Sequence, residues 1–255
     1  MKKRQLAVTV LLAAVLLTFT SCGREKTYQK EITEAWTRTN AYESASFSYE
    51  SSYTDEDGIN ITNNQEGAYN HTEDAFRQVS AYGTQGSGKQ EQVFLPEENY
   101  IRYNLTGEAW GSWTPVGNKA AEYPSFLTTL FEQEISFENI DSIKKTEEDG
   151  EYLYTLTYKK SYMKERVEDQ LEAARSYLEI YKESASNLSE LETLEKNVAY
   201  LEKRAEATGM LLYYVDKEGN LTGLGSRLEM EGGGSYAMLR LSELGKVSFE
   251  GYVEK

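Results

Sequence analysis

Apolar and polar residues alternate with a period of two over much of this chain, and the alternation gives way to helical spacing in three places. The first is Tyr28–Asn40, where Tyr28, Ile32, Ala35 and Trp36 form one stripe and predict a helix that packs on a sheet. Then Phe47, Tyr49 and Tyr53 alternate with Ser46, Ser48, Glu50 and Ser52, and Asp55-Glu56-Asp57-Gly58 supplies a turn into a second strand at Ile59–Glu66. Further strands are predicted at Ala75–Tyr82, Gln90–Leu95, Asn99–Leu105 and Trp110–Pro115, with Gly83, Gly86, Gly88, Pro96 and Gly107 at the turns. A short helix is expected at Pro124–Glu132. The two-residue period returns at Glu151–Lys160, where Tyr152, Tyr154, Leu156 and Tyr158 share a face. It resumes at Leu211–Asp216, Leu221–Met230, Tyr236–Leu244 and Val247–Val253. Short strands joined by tight turns indicate an antiparallel meander, not βαβ units, which disfavours a two-lobed α/β solute-binding architecture.

The third helical stretch, Ser161–Thr208, has no proline or glycine and is rich in Glu, Lys, Leu and Ala. Its apolar stripe slips by a residue at Leu188, and Asn187 with Glu190 can form a capping box. A straight helix of about 45 residues would carry the chain ~65 Å from its origin, too far to rejoin a neighbouring strand. Two antiparallel helices breaking near Ser184–Asn187 and ending at Gly209 return it. The fold class is therefore α+β, with a helical hairpin inserted into an antiparallel sheet at about residues 161–208.

The amino terminus changes the picture. Lys2, Lys3 and Arg4 precede an apolar run from Leu6 to Phe19, followed by Thr20-Ser21-Cys22-Gly23. That run is shorter than the ~20 residues needed to span a bilayer, so residues 1–21 read as an export signal and not as a membrane helix. The small residues and the single cysteine of the chain resemble the lipobox of bacterial lipoproteins, with Phe19 standing where the family usually has Leu. The resemblance implies that Cys22 is the acylated first residue of the mature protein. Residues 22–27 then serve as lipidated cysteine and tether, and 28–255 as one domain at the extracytoplasmic face of a cell membrane.

Loss of Lys2, Lys3 and Arg4 moves the net charge from −15 to −18. A nucleic-acid partner is not expected, because affinity for phosphate backbones requires the opposite balance. The same charge repels an anionic bilayer, so residence at the membrane must rest on acyl chains, two of which give stable anchoring where one is marginal. No second cysteine exists to form a disulfide, so a packed core must hold the fold, and 20 Tyr, 8 Phe and 3 Trp supply much of it.

Residues able to do chemistry are sparse. His71 is the only histidine and has no cysteine beside it, which argues against zinc and against Ser-His-Asp or Cys-His catalysis. Asp55, Asp57, Gly58 and Asn60 match part of a calcium loop but lack the closing glutamate, and read as a turn. No metal, cofactor or enzymatic activity is expected.

Tyr100-Ile101-Arg102-Tyr103, a short loop, Trp110-Gly111-Ser112-Trp113 and the helix after them resemble exported lipoproteins of the LolA/LolB-like, LppX-like superfamily. The resemblance covers most of residues 28–160 and 210–253. It implies an N-terminal helix and a strongly curved antiparallel sheet, a half-open β-barrel around an apolar groove. Phe47, Tyr49, Tyr53, Tyr103, Trp113, Tyr154 and Tyr158 are the candidate lining, and a lipid or other apolar molecule the expected ligand. The helical segment at 161–208 departs from the compact carriers. It supports a second expectation, an envelope-sensing module that docks on a protein partner through the hairpin.

Overall fold

A computed structural model of the chain describes residues 23–54, 59–82, 88–105, 107, 109–117, 127, 135–184 and 188–253. The signal segment, Cys22, most of the helix expected at Pro124–Glu132, and Asn187 lie outside the described residues. Leu127, from that expected helix, is helical and fully buried in the main core.

Helix α1 (23–39) leads into six strands, β1 (Ser44–Thr54), β2 (Asn60–Asn70), β3 (Ala75–Tyr82), β4 (Gly88–Phe94), β5 (Asn99–Asn104) and β6 (Thr114–Gly117). After β7 (Ile140–Glu148) and β8 (Glu151–Tyr158) comes the hairpin of α2 (Lys160–Ser184) and α3 (Leu188–Ala205). The chain then returns to the sheet as β9 (Thr208–Val215), β10 (Leu221–Met230) and β11 (Gly233–Ser242). All eleven strands form one antiparallel sheet, curved and unclosed, in the order β6-β5-β4-β3-β2-β1-β11-β10-β9-β8-β7. The first half of the meander runs outward from β1, and the second half works back from the far edge to pair β11 with β1. This is the α+β fold expected from the sequence.

Register assigns the faces. Phe47 opposes Leu241, Tyr49 opposes Leu239, and Tyr154 opposes Tyr213, so these residues project from one side. Helix α1 covers this inner face with Ile32 and Ala35 buried and Trp36 half-buried. Phe47 stacks on Phe76 at 6.0 Å between ring centroids. Gly67, opposite Phe47, makes room for it, since a Cβ there would lie 2.5 Å from the ring. Thr39, buried at the end of α1, ties the helix to the sheet by accepting a hydrogen bond from the Leu221 backbone N–H at 2.8 Å.

Four elements differ from expectation. Of the strand expected at Trp110–Pro115, residues 110–113 are irregular and only Thr114 and Pro115 belong to a strand, β6. Helix α1 starts at residue 23, so Arg24–Thr27, expected as a tether, are helical; nothing in Arg-Glu-Lys-Thr breaks a helix, and the Thr27 hydroxyl bonds back to the Gly23 carbonyl at 3.0 Å. Strand β7 was not expected. It is an edge strand whose Lys144, Lys145, Glu147 and Glu148 hide the period, the usual composition of a protected sheet edge. Val247–Val253 is not a strand: it crosses the outer face irregularly, burying Phe249 against Ala68, Ala75 and Val93. Its alternation reports one-sided burial, which a partnerless segment laid on a sheet also needs.

The hairpin is as expected from helical spacing except at its end, where α3 stops at Ala205 and Gly209, expected as the C-terminal cap, lies inside β9. Its root is packed, with Met163, Val167, Val198 and Leu201 buried, whereas farther out the stripe is only half-buried. Because β8 and β9 pair with each other, the whole insertion leaves and re-enters the sheet at neighbouring positions.

Candidate ligand-binding site

The inner face is divided. Beneath α1 and Leu127 it is filled core. Toward β3, β4 and β5 it turns polar, with Gln65, Gln78, Gln90 and Gln92 on the inner side and Gln78 donating to Gln65 at 3.0 Å. Toward β9, β10 and β11 it carries a patch of apolar side chains, with Ser226 and Ser235 beside it, and is not filled. There a cavity of about 620 Å3 lies between the sheet, the root of the hairpin and the segment 135–139. This is within the ~300–1,000 Å3 usual for small-molecule sites.

Its floor is Tyr49, Leu211, Tyr213, Leu224, Ala237 and Leu239. Trp36 closes the side toward α1, and Met163, Val167 and Gln170 of α2 form the opposite wall. Gly209 sits where that wall meets the sheet; a Cβ on it would come 2.6 Å from Met163 Sδ, so its bareness lets the hairpin root close on β9. Burial raises the Tyr213 hydroxyl. It also raises that of Tyr158, with Tyr162 adding to the effect and the Arg166 charge opposing it. Both tyrosines are neutral at ordinary pH. Arg166 from α2 and Arg204 from α3 stand at the rim.

The seven aromatic candidates are dispersed by this geometry. Tyr49 and Tyr158 line the cavity. Phe47 and Tyr154 are buried in the core next to it, and the Tyr154 hydroxyl, pushed up to about 12 first by burial and then by Glu31, is held in a hydrogen bond to that carboxylate. Tyr53 is 49% exposed at the far end of β1, and Tyr103 is 36% exposed on the polar part of the inner face. Trp113 lies on the outer face, 4.2 Å from the Arg102 guanidinium and 6.2 Å from the Tyr252 ring. The residues that sequence reasoning did not single out, Leu211, Leu224, Met163 and Arg166, come from strands and a helix whose closeness depends on register and on the hairpin's lean. The inward face of β9 was readable in the alternation, but its pairing with the hairpin root was not.

The outer face carries a different feature. Glu91 is 0% exposed and receives Arg77 Nε and Arg102 Nε, each at 2.5 Å, with the Tyr252 hydroxyl at 2.9 Å. This is a structural knot that fastens the C-terminal segment to β3, β4 and β5. Among the described residues no group of His, Cys, Asp or Glu is arranged to hold a metal ion, and no helix is long and apolar enough to cross a membrane.

No protein-family model matches the chain, and no curated protein matches it. Among solved structures, it is similar to LprF from Mycobacterium bovis at 10% identity, covering 86% of this chain and 93% of that one, with a TM-score of 0.42. It is similar to the lipoprotein LppX from Mycobacterium tuberculosis at 11% identity, covering 86% and 95%, with a TM-score of 0.41. A LolA superfamily protein from Nitrosomonas europaea matches at 8% identity over 88% and 96%, with a TM-score of 0.27.

Proposed function

We propose that the mature protein is a lipoprotein anchored through Cys22 at the extracytoplasmic face of a cell membrane, and that it binds a lipid or other apolar molecule without catalysing a reaction. The observation that carries this reading is the unfilled cavity of about 620 Å3, with an apolar floor, between β9–β11 and the hairpin root, beside a core that is packed beneath α1 and Leu127. Burial at roughly 25 cal/mol per Å2 provides affinity there without a charged ligand. Tyr49 and Tyr158 are the lining residues retained from the aromatic set. The test is titration of residues 23–255 with a fluorescent fatty acid: saturable one-to-one binding supports the reading, and no binding at tens of micromolar contradicts it. Replacement of Cys22 by Ser should release the full-length protein from the membrane fraction, and its retention there would contradict the anchor.

A second reading, docking of a protein partner on the hairpin, is favoured by Tyr177 and Ile180, which are 53% and 65% exposed on α2. Pull-down from envelope extracts with Tyr177→Ser/Ile180→Ser beside the parent protein tests it. A partner lost with the two substitutions supports docking there, and equal recovery contradicts it.

A further inference from the structure

We infer that the occupant of the inner-face cavity is a single-chain amphiphile with an anionic head, held by Arg166 and Arg204 at the rim while its chain lies on the floor of β9, β10 and β11. The inference rests on the reading of the cavity as a groove for apolar chains and specifies which chains.

Charge carries it. The chain as a whole has a formal net charge of −15, yet no carboxylate is among the described residues that line the cavity, whereas three arginines border it, although the register of β10 turns the Arg227 side chain to the outer face. One of them, Arg227, is satisfied by Glu229 at 2.8 Å. Arg166 and Arg204 have no ion-pair partner among the described residues. Arg166 has only the Tyr162 ring, 5.8 Å from its guanidinium carbon. Basic residues farther along the same two helices are treated differently: Arg175 pairs with Glu202 at 2.7 Å, Lys182 with Glu195 at 3.1 Å and Lys196 with Glu192 at 3.7 Å. Counter-charges are thus provided along the outer part of the hairpin, while among the described residues Arg166 and Arg204 at the cavity lack them, as do Lys160, Lys164 and Lys203 elsewhere near the root. A guanidinium fork is suited to a carboxylate or phosphate, and an amphiphile's head would sit at the rim, half in water, as its chain enters. The cavity volume suits one chain better than a multi-chain lipid.

The experiment displaces an uncharged polarity-sensitive dye, N-phenyl-1-naphthylamine, from residues 23–255. The competitors, kept below their micellar concentrations, are tetradecanoate, tetradecyl phosphate, tetradecanol, tetradecyltrimethylammonium and inorganic phosphate. The two anionic amphiphiles are expected to displace the dye at about a tenth of the alcohol's concentration or less, with inorganic phosphate inert. In the double variant Arg166→Gln/Arg204→Gln that advantage should vanish, while Arg175→Gln, away from the cavity, should keep it. Displacement by the alcohol or the cation as effective as by the anions overturns the inference and leaves the groove standing. Displacement by inorganic phosphate alone also overturns it, because the chain would then be dispensable. Failure of the dye and of every amphiphile to bind removes the groove itself, and this inference with it.

Discussion

The hydroxyl of Tyr154 on β8 donates a 2.6 Å hydrogen bond to Glu31 Oε2 on α1, and Lys145 Nζ on β7 reaches the same oxygen at 2.9 Å. A helix and two strands are thereby locked at the edge of the inner face. The Tyr28 ring packs edge-on to Tyr154 at 5.9 Å above the same junction. Tyr154 thus closes the core beside the cavity and does not line it. Tyr154→Phe removes one hydrogen bond to a charged acceptor without opening a void. It should cost about 1–2 kcal/mol, or roughly 3–6 °C in Tm for a chain of this size. Lipid binding should persist. Thermal unfolding with and without ligand checks both statements, and loss of binding in a folded variant would place Tyr154 in the site after all.

Glu91 sets the acid response of the outer face. Burial acts to raise its carboxyl, but hydrogen bonds from Arg77, Arg102 and Tyr252, with the Arg77 charge, outweigh it and leave the group below its ordinary 4.5. A depressed folded value means that the stabilisation is fully present above the unfolded value and is lost as pH falls below it through the folded one. The parent protein should therefore lose stability below about pH 4.5. Glu91→Gln leaves two guanidiniums facing a neutral amide and should cost about 3 kcal/mol at pH 7, with a shallower loss on acidification. Urea midpoints between pH 6 and 3 for the two proteins check this; parallel curves would contradict it.

Part of this architecture is legible in the residues themselves. Strand β8 declares itself through Tyr152, Tyr154, Leu156 and Tyr158, and the hairpin through a long stretch free of breakers whose stripe slips at Leu188. Strand β7 is hidden because Lys145 projects inward yet keeps its charge over the Tyr152 ring, 4.1 Å away, and on Glu31. The Glu91 knot depends on register, with Arg102 directly across from Glu91 in the β4–β5 ladder. The cavity depends on two distant stretches meeting: Tyr49 was readable as an inward aromatic, but nothing local says that Arg166 and Arg204 share a rim with it. Trp113 and Tyr103 share the aromatic signal without sharing the place.

The root of the hairpin and its outer part should separate on deletion. Removing residues 172–195 and joining the ends with a short glycine turn keeps Met163, Arg166, Val167 and Arg204, and should leave both the sheet and lipid binding intact. Removing 162–206 takes away a wall of the cavity and should abolish binding while β8 and β9 remain paired. Circular dichroism and a binding titration on both proteins decide it. Loss of sheet in the shorter deletion, or binding retained in the longer one, would contradict this account.

Filling the cavity should act in the same direction without touching the hairpin. Ala237 is on the inner face of β11 and on the floor, so Ala237→Trp should weaken lipid binding by about tenfold or more, about 1.4 kcal/mol. Stability should change little, because the added ring enters open space. Trp113→Phe on the outer face should leave binding unaltered. Titrations of the two variants beside the parent protein measure the contrast, and equal weakening in both would disconnect this cavity from binding.

The central claim is that an apolar chain lies between β9–β11 and the hairpin root. A fatty acid carrying a photoreactive diazirine in its chain, irradiated with residues 23–255 and mapped by peptide mass spectrometry, tests it most directly. Labelled peptides are predicted around Met163–Gln170, Gly209–Tyr213 and Leu224–Leu228, with competition by unlabelled fatty acid. Label concentrated on β4–β5 or around Trp113, or label that unlabelled fatty acid does not displace, would contradict the account.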